Sequence, residues 1–426
     1  MDRSERRIAT VLIGLLLVFG GLFVVRGPLR AVDGSRDLAH LYAASALWLE
    51  GGNPYSGEAC VERMRSEDLA GPEFLNPGSY YPPPSLAALS PLALVDLATA
   101  RWFWMGLNLL LCGVLIWALS HWLSVQRLAM GWLIAAVLVV AWGPVATTIS
   151  QGQLALVPAA CAFAGLVLVE RRRPWVAGVL LGIACLIKPQ LGLGFLLLIG
   201  LRREWAALAA GLMVIAGVSA IGVGRLMATV PDWVQQLSAN IAVDHGRDEM
   251  LDPSPGARYR HQMIDLRPIV YLVVPAIWVG KSVIAIVALL AGIAIWRLMR
   301  AGLSGYTLLS VSGVGLLLML PVYHRYYDAV MLLPLLVLVL NVLRERPGDR
   351  LIWLIGLLVL PLVLPLSAAL RTLEKGGRLP SGLAETWLWE NGVMQHHSWC
   401  LLFASVALVV WTWRVTSDRD ACRPMG

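Results

Sequence analysis

Charge is what this sequence has least of. Only 14% of its 426 residues are Asp, Glu, Lys or Arg, against about 25% in an ordinary soluble domain. With 58% hydrophobic residues and a mean hydropathy of +0.70, that shortage excludes a soluble globular chain. Cysteine is sparse as well. None of the six stands in a CxxC or Cys/His ligand spacing, which argues against a disulfide framework or a structural zinc. Cys112, Cys161, Cys185 and Cys400 lie in or beside apolar runs, Cys422 is in the tail, and only Cys60 sits in a long polar stretch. A strong acidic pair for a metal is also missing, because Asp33 and Asp37 lie four apart with Arg36 beside them. No metal and no cofactor is expected. The hydropathy carries no inverted repeat, the usual mark of a secondary transporter. The net charge of +7 does not mean nucleic-acid binding, since the arginines sit in short links between apolar runs, as membrane topology requires.

What the sequence does have is a succession of apolar runs of roughly 15 to 20 residues, each of membrane-spanning length. The expected fold class is an all-α polytopic membrane protein of a single domain over 1–426. The first span is read at 8–25, uncleaved, because the run is long for a signal peptide and no small-x-small site follows. Further spans are read near 98–119, 128–148, to 169, as two short arms at 176–187 and 191–201, and at 205–223. Others follow at 282–296, 306–322, 329–343, 351–370 and 399–415, with a short surface helix at 268–280. That makes twelve, within a range of ten to thirteen. The arms could be two tilted spans or a re-entrant hairpin. Placement of the arginines puts both termini in the cytoplasm and two long loops, 26–84 and 225–267, outside. Residues 416–426 are read as a cytoplasmic tail.

The stretch from Asp33 to Tyr55, DGSRDLAHLYAASALWLEGGNPY, reads as one helix starting near Ser35 or Asp37 and ending at Gly-Gly-Asn-Pro-Tyr. Its broad apolar face suits a helix lying on a membrane surface. Under the topology above, Asp37, Tyr80-Tyr81, Gln151, Gln153, Lys188 and His324-Arg325-Tyr326-Tyr327-Asp328 all fall at the outer boundary, with Arg260 and His261 in the second loop. Ionisable groups near hydrocarbon are costly and suggest function. Each also has a plain reading. Asp37 would favour a helix N-terminus, Lys188 would snorkel to headgroups, Gln-Gly-Gln would be a turn, and 324–328 an interfacial aromatic belt.

Three motifs, Asp37-x-x-x-x-Tyr42-x-Ala44, Gly52-Asn-Pro-Tyr55 and Tyr81-Pro-Pro-Pro84, resemble the opening of glycosyltransferase family 87. So do Gln151-Gly-Gln153, Ala177-Gly-x-x-x-Gly182 leading to Ile187-Lys-Pro189, and Tyr323-His-Arg-Tyr-Tyr-Asp328. The second outer loop offers only Tyr259-Arg-His-Gln262 where the family often has an Asn-Gln-Ser-like patch, and the insert 56–79 has no counterpart. The resemblance implies a C-type membrane fold and transfer of mannose, or secondly arabinofuranose, from a polyprenol-phosphate donor to a lipid or glycan acceptor. The partners it implies are that donor, that acceptor and membrane lipids, in the plasma membrane of a bacterium, with no nucleotide. Asp37 would be the catalytic base, and Lys188, His324 and Arg325 would hold the donor phosphate. Tyr42, Tyr81, Gln151, Gln153, His261 and Asp328 would bind substrate, or Asp328 would set the His324 tautomer. A transporter or lipid flippase is the rival reading, and an O-antigen polymerase or ligase a third.

Overall fold

In lipid every backbone polar group must be satisfied within its own segment, so apolar runs become helices. A computed structural model of the chain describes residues 3–67, 78–125, 127–244, 251–274, 307–364, 366–380 and 382–421, with isolated positions between 282 and 293. Among these residues the α-helices begin with α1 (Arg3–Arg26), α2 (Pro28–Asp33), α3 (Arg36–Glu50), α4 (Gly57–Arg65), α5 (Pro83–Leu89) and α6 (Leu97–Trp122). The middle of the chain forms α7 (Leu128–Ala141), α8 (Gly143–Gln151), α9 (Leu156–Glu170), α10 (Pro174–Ile187), α11 (Pro189–Leu201), α12 (Trp205–Thr229) and α13 (Trp233–Asp244). Then come α14 (Arg267–Val273), α15 (Thr307–Leu318), α16 (Leu333–Glu345), α17 (Arg350–Val359), α18 (Leu366–Lys375) and α19 (His396–Ala421).

Five segments are long and apolar enough to cross a membrane: Glu5–Val32, Leu97–Trp122, Trp205–Thr229, Tyr326–Glu345 and His396–Val415. Two broken helix pairs, α7 with α8 and Arg350–Val363 with α18, raise the number to seven. The chain is thus an all-α membrane protein. Four of the expected spans become the shorter helices α9, α10, α11 and α15. The expected span at 282–296 lies largely outside the described residues, as does most of 275–306 and the stretch 68–77 within the insert.

Three boundaries differ from the sequence reading. The span read as continuous over 128–148 is interrupted at Trp142, where Pro144 removes the N–H that the helix would need. The second loop was expected from 225, yet α12 runs to Thr229 and α13 takes up Trp233–Asp244. The tail was expected from 416, but α19 continues to Ala421.

The chain divides into two units. The first holds Met1–Ala118, Val139–Ala141 and Val145–Glu249. Here α10 packs on α9 and α12, and the packing is close because the facing residues are small. A β-carbon on Gly178 would lie 2.1 Å from the Ala207 carbonyl oxygen, and one on Gly182 would lie 2.8 Å from that of Gly211. The Ala177-Gly-x-x-x-Gly182 motif is therefore a helix-contact stripe, the arrangement that lets membrane helices approach closely. The Arg-rich links close α9 and α11 in the same way. Arg172 and Arg203 take φ of 58° and 60°, and the residues after them, Arg173 and Glu204, donate N–H groups back to Leu168 and Ile199 carbonyls, a Schellman closure.

The second unit holds Leu119–Leu138, Trp142–Pro144 and Met250–Gly426. In it α15 packs on α16, and α17 on α19. Trp142 donates its indole N–H to the Ala329 carbonyl at 3.0 Å, and Tyr326 donates to Leu362 at 2.9 Å.

Candidate active site

The first unit builds its polar centre at the start of α3. Ser35 takes the left-handed conformation, φ 52°, which a non-glycine residue holds only when its surroundings require it. Two bonds do so: its N–H donates to the Ser150 carbonyl at 3.1 Å and its hydroxyl to Ala31 at 2.9 Å. The corner leaves Asp37 in the first helical turn, half-buried, where the helix dipole favours its negative charge.

Opposite it, α8 ends in Gln151-Gly152-Gln153. The Gln153 N–H donates to Thr148 and the Gly152 N–H to Ile149, again a Schellman closure. Gly152 has φ +69°, and a β-carbon there would come within 2.6 Å of Leu38 Cβ. Glycine is needed on both counts. The turn points the buried Gln153 at Asp37, and its Nε2 donates to the Asp37 carboxylate at 2.5 Å, a short charge-assisted bond. Gln151 is exposed and Gln153 buried, and the motif is a turn, as its plain reading has it. The structure brings Asp37 and Gln153 together and leaves Gln151 on the outside.

The other end of α3 is roughly 20 Å away along a 15-residue helix. There Arg225 donates to the carbonyls of Trp48 and Leu49 and lies over the Trp48 ring, a cation placed where the helix dipole is negative. Asn53 folds its side chain back to the Tyr55 N–H at 3.0 Å and donates to Gln236 at 2.6 Å. Asn240, on α13, donates to the carbonyls of Tyr55 and Ser79 at 3.0 Å each. Tyr55 stacks on Trp233 and donates to the Tyr81 carbonyl at 3.1 Å. Four residues on, Ser85 donates to the Leu186 carbonyl at 2.6 Å, two residues before Lys188. The Tyr81 motif and the Lys188 corner are thus stitched together. Lys188 itself is 6% exposed and sits between α10 and α11, held extended by the proline that follows it.

Tyr42 and the helix around it differ from expectation. Tyr42 is buried, its hydroxyl donating to the Val95 carbonyl at 2.9 Å and facing Glu67 at 3.1 Å. The helix expected to lie on a membrane buries Leu38, Ala39, Leu41, Ala43, Ser45 and Ala46 around its circumference. Its alanines let α4 and α5 pack against it, which a purely apolar face would not reveal. His40, one turn beyond Asp37 on the same face, was not singled out in the sequence. The Asp-x-x-His spacing was the available signal. Burial lowers its pKa, and the Asp37 charge opposes that shift.

In the second unit the Tyr323–Asp328 motif makes its own cluster. His324 is wholly buried, with Nε2 on the Leu318 carbonyl at 2.9 Å and Nδ1 on Asp328 at 3.2 Å. Both ring nitrogens, expected to face a phosphate, are engaged within the unit, and Asp328 touches the ring directly. Asp265, also wholly buried, accepts from Arg267 at 2.9 Å and 3.0 Å and from the His324 N–H at 3.1 Å. Arg267 and Arg325 both lie over the Tyr323 ring, at 5.1 Å and 5.7 Å, and Arg325 is half-buried. The Asp265-Leu-Arg267 pattern was the missed signal here. His261 lies in a short 3-10 turn packed on α18. Burial holds its pKa below the ordinary range, helped by Arg371 and Lys375.

The described residues thus make an all-α membrane protein in which a carboxylate is held by an amide at a helix start. Residues 80–322, more than half of the chain, match glycosyltransferase family 87. The chain belongs to that family and is a membrane glycosyltransferase. The Tyr81, Gln151–Gln153 and Lys188 motifs fall inside the matched residues, while Asp37 and 323–328 flank them. No individual curated protein and no solved structure matches the chain.

Proposed function

We propose that the protein transfers mannose, or else arabinofuranose, from a polyprenol-phosphate sugar to a lipid-linked or cell-envelope glycan acceptor at the outer face of a bacterial plasma membrane. In the proposed reaction the acceptor hydroxyl oxygen forms the new bond to the anomeric carbon. The bond from that carbon to the phosphate oxygen breaks, and the polyprenyl phosphate leaves with the electron pair. Asp37 takes the acceptor proton. A single carboxylate acting once implies inversion.

The observation that carries this reading is the Asp37–Gln153 bond of 2.5 Å in a chain of this family. The Gln153 amide occupies one carboxylate oxygen and leaves the other for a substrate hydroxyl, so the base is oriented before the acceptor arrives. Lys188, in the unit that holds Asp37, is the proposed cation for the phosphate, since charge grows on it as the sugar departs, and Arg325 keeps a proposed role in donor binding. His324 and Asp328 are assigned to positioning the Tyr323–Asp328 segment, not to the phosphate. Gln151 and Tyr81 in the first unit keep proposed roles in binding substrate, as does His261 in the second, and Tyr42 is assigned to packing.

The test is transfer of radiolabelled sugar from polyprenol-phosphate-mannose to lipid acceptors in membranes carrying the wild type or Asp37→Ala. Loss of product by about 10²-fold or more, at unchanged protein level, supports the assignment. Retained activity moves the base elsewhere and leaves the reaction class standing. Failure of the wild type with both sugar donors overturns the polyprenol-phosphate reading.

A further inference from the structure

A cavity of about 70 Å³ lies in the first unit between α2 and the first two turns of α6, lined by Ala31, Val32, Ala98, Arg101, Trp102 and Met105. Positions 98, 101, 102 and 105 form one ridge of a helix, and α2 closes the other side. Arg101 is the charged residue of this lining. Its Nε is buried and has no hydrogen-bond partner among the described residues. A buried donor on a charged group without an acceptor is costly, so its persistence suggests an acceptor that the chain does not supply.

From this site we infer a seat for the phosphate of a membrane lipid. A guanidinium is a fixed fork that matches phosphate oxygens with two parallel bonds. A simple snorkelling arginine would point its whole head into water, whereas this one keeps its Nε buried beside the cavity. The walls choose the source of the phosphate. Trp102 is 60% exposed, Val32 44%, and beyond them Phe103 and Leu110 are 64% and 66% exposed on α6. That strip lies on a helix long and apolar enough to cross a membrane, so an acyl or prenyl chain can lie on it while its phosphate reaches Arg101. A free phosphate ion gains nothing from such walls. The seat uses no group assigned to sugar transfer, and Ala100 beside Arg101 belongs to the core that packs on α3.

The experiment is lipid binding by the purified full-length protein in an uncharged detergent, read by native mass spectrometry and by thermal unfolding. The probes are phosphatidic acid, diacylglycerol with the same chains, and inorganic phosphate. Phosphatidic acid is expected to bind and raise Tm, while diacylglycerol and inorganic phosphate at equal concentration do not. Arg101→Gln is expected to weaken that binding at least about tenfold, and Arg101→Lys less. Ala98→Glu, at an exposed position on the cavity wall, brings a carboxylate to the site and is expected to weaken it as well, which keeps the test alive if Arg101→Gln does not fold. Equal binding by the wild type and these variants, or equal binding of diacylglycerol, overturns the seat. Protection by inorganic phosphate alone overturns its assignment to a lipid.

Discussion

A carboxylate that is to take a proton must be held still without being neutralised. In the proposed reaction that carboxylate is Asp37, with a neutral amide as its partner and a helix start behind it. Gln153→Ala removes the orienting bond and keeps the acid. We expect kcat to fall about tenfold, the loss of one charge-assisted hydrogen bond, with KM for the donor little changed, as steady-state kinetics will show. At His261 a further expected effect is on the pH dependence of stability. Its pKa is lowered in the folded protein, by burial first and then by Arg371 and Lys375. The unfolded chain therefore takes up a proton at a higher pH than the folded one does. Stability from this group is present above the unfolded value of about 6.5 and is lost as pH falls toward the lower folded value. His261→Gln removes that part of the acid sensitivity, so the drop in Tm between pH 7.5 and pH 5.5 should be smaller in the variant than in the wild type.

Among the elements, the turn at Gly152 matters most, because it decides whether Gln153 reaches Asp37. Gly152→Ala must accept a positive φ and push against Leu38, at a cost of roughly 1–3 kcal/mol. Thermal stability and transfer activity should fall together, as the unfolding midpoint and the transfer assay will show. The sequence makes the residues of this turn visible and even their glycine, but not the distance between residues 37 and 153, which only chain packing sets. The same holds for α3. Its limits, from Ser35 to Gly51, are legible in local capping signals, whereas its burial on several sides follows from alanines that any helix might carry. His324 shows the opposite case. A histidine beside an arginine at a span boundary reads as a ligand for phosphate, and the carbonyl of Leu318 and the carboxylate of Asp328 that occupy it are invisible until the segment folds.

For the whole molecule, hydropathy and motif order pointed to a membrane glycosyltransferase of family 87, and the family match bears that out. The number of crossings was harder to read. An apolar run of 12 to 15 residues carries the same composition as half of a longer span, and proline or glycine decides where a helix breaks, as at Trp142. The proposed topology has an even count of spans and both termini in the cytoplasm. Reporter fusions at the two ends should then report the same side of the membrane. Opposite sides would establish an odd count and require reassigning which loops face outward.

What the sequence determined by itself is what depends on composition and near neighbours: helices, membrane class, family, and the glycines that turns demand. Tertiary structure alone decided which polar groups meet: Asp37 with Gln153, and His324 with Asp328. The reason is physical. Capping and hydropathy act over a few residues, whereas an amide 116 residues away in the chain is brought to a carboxylate only by the packing of everything between.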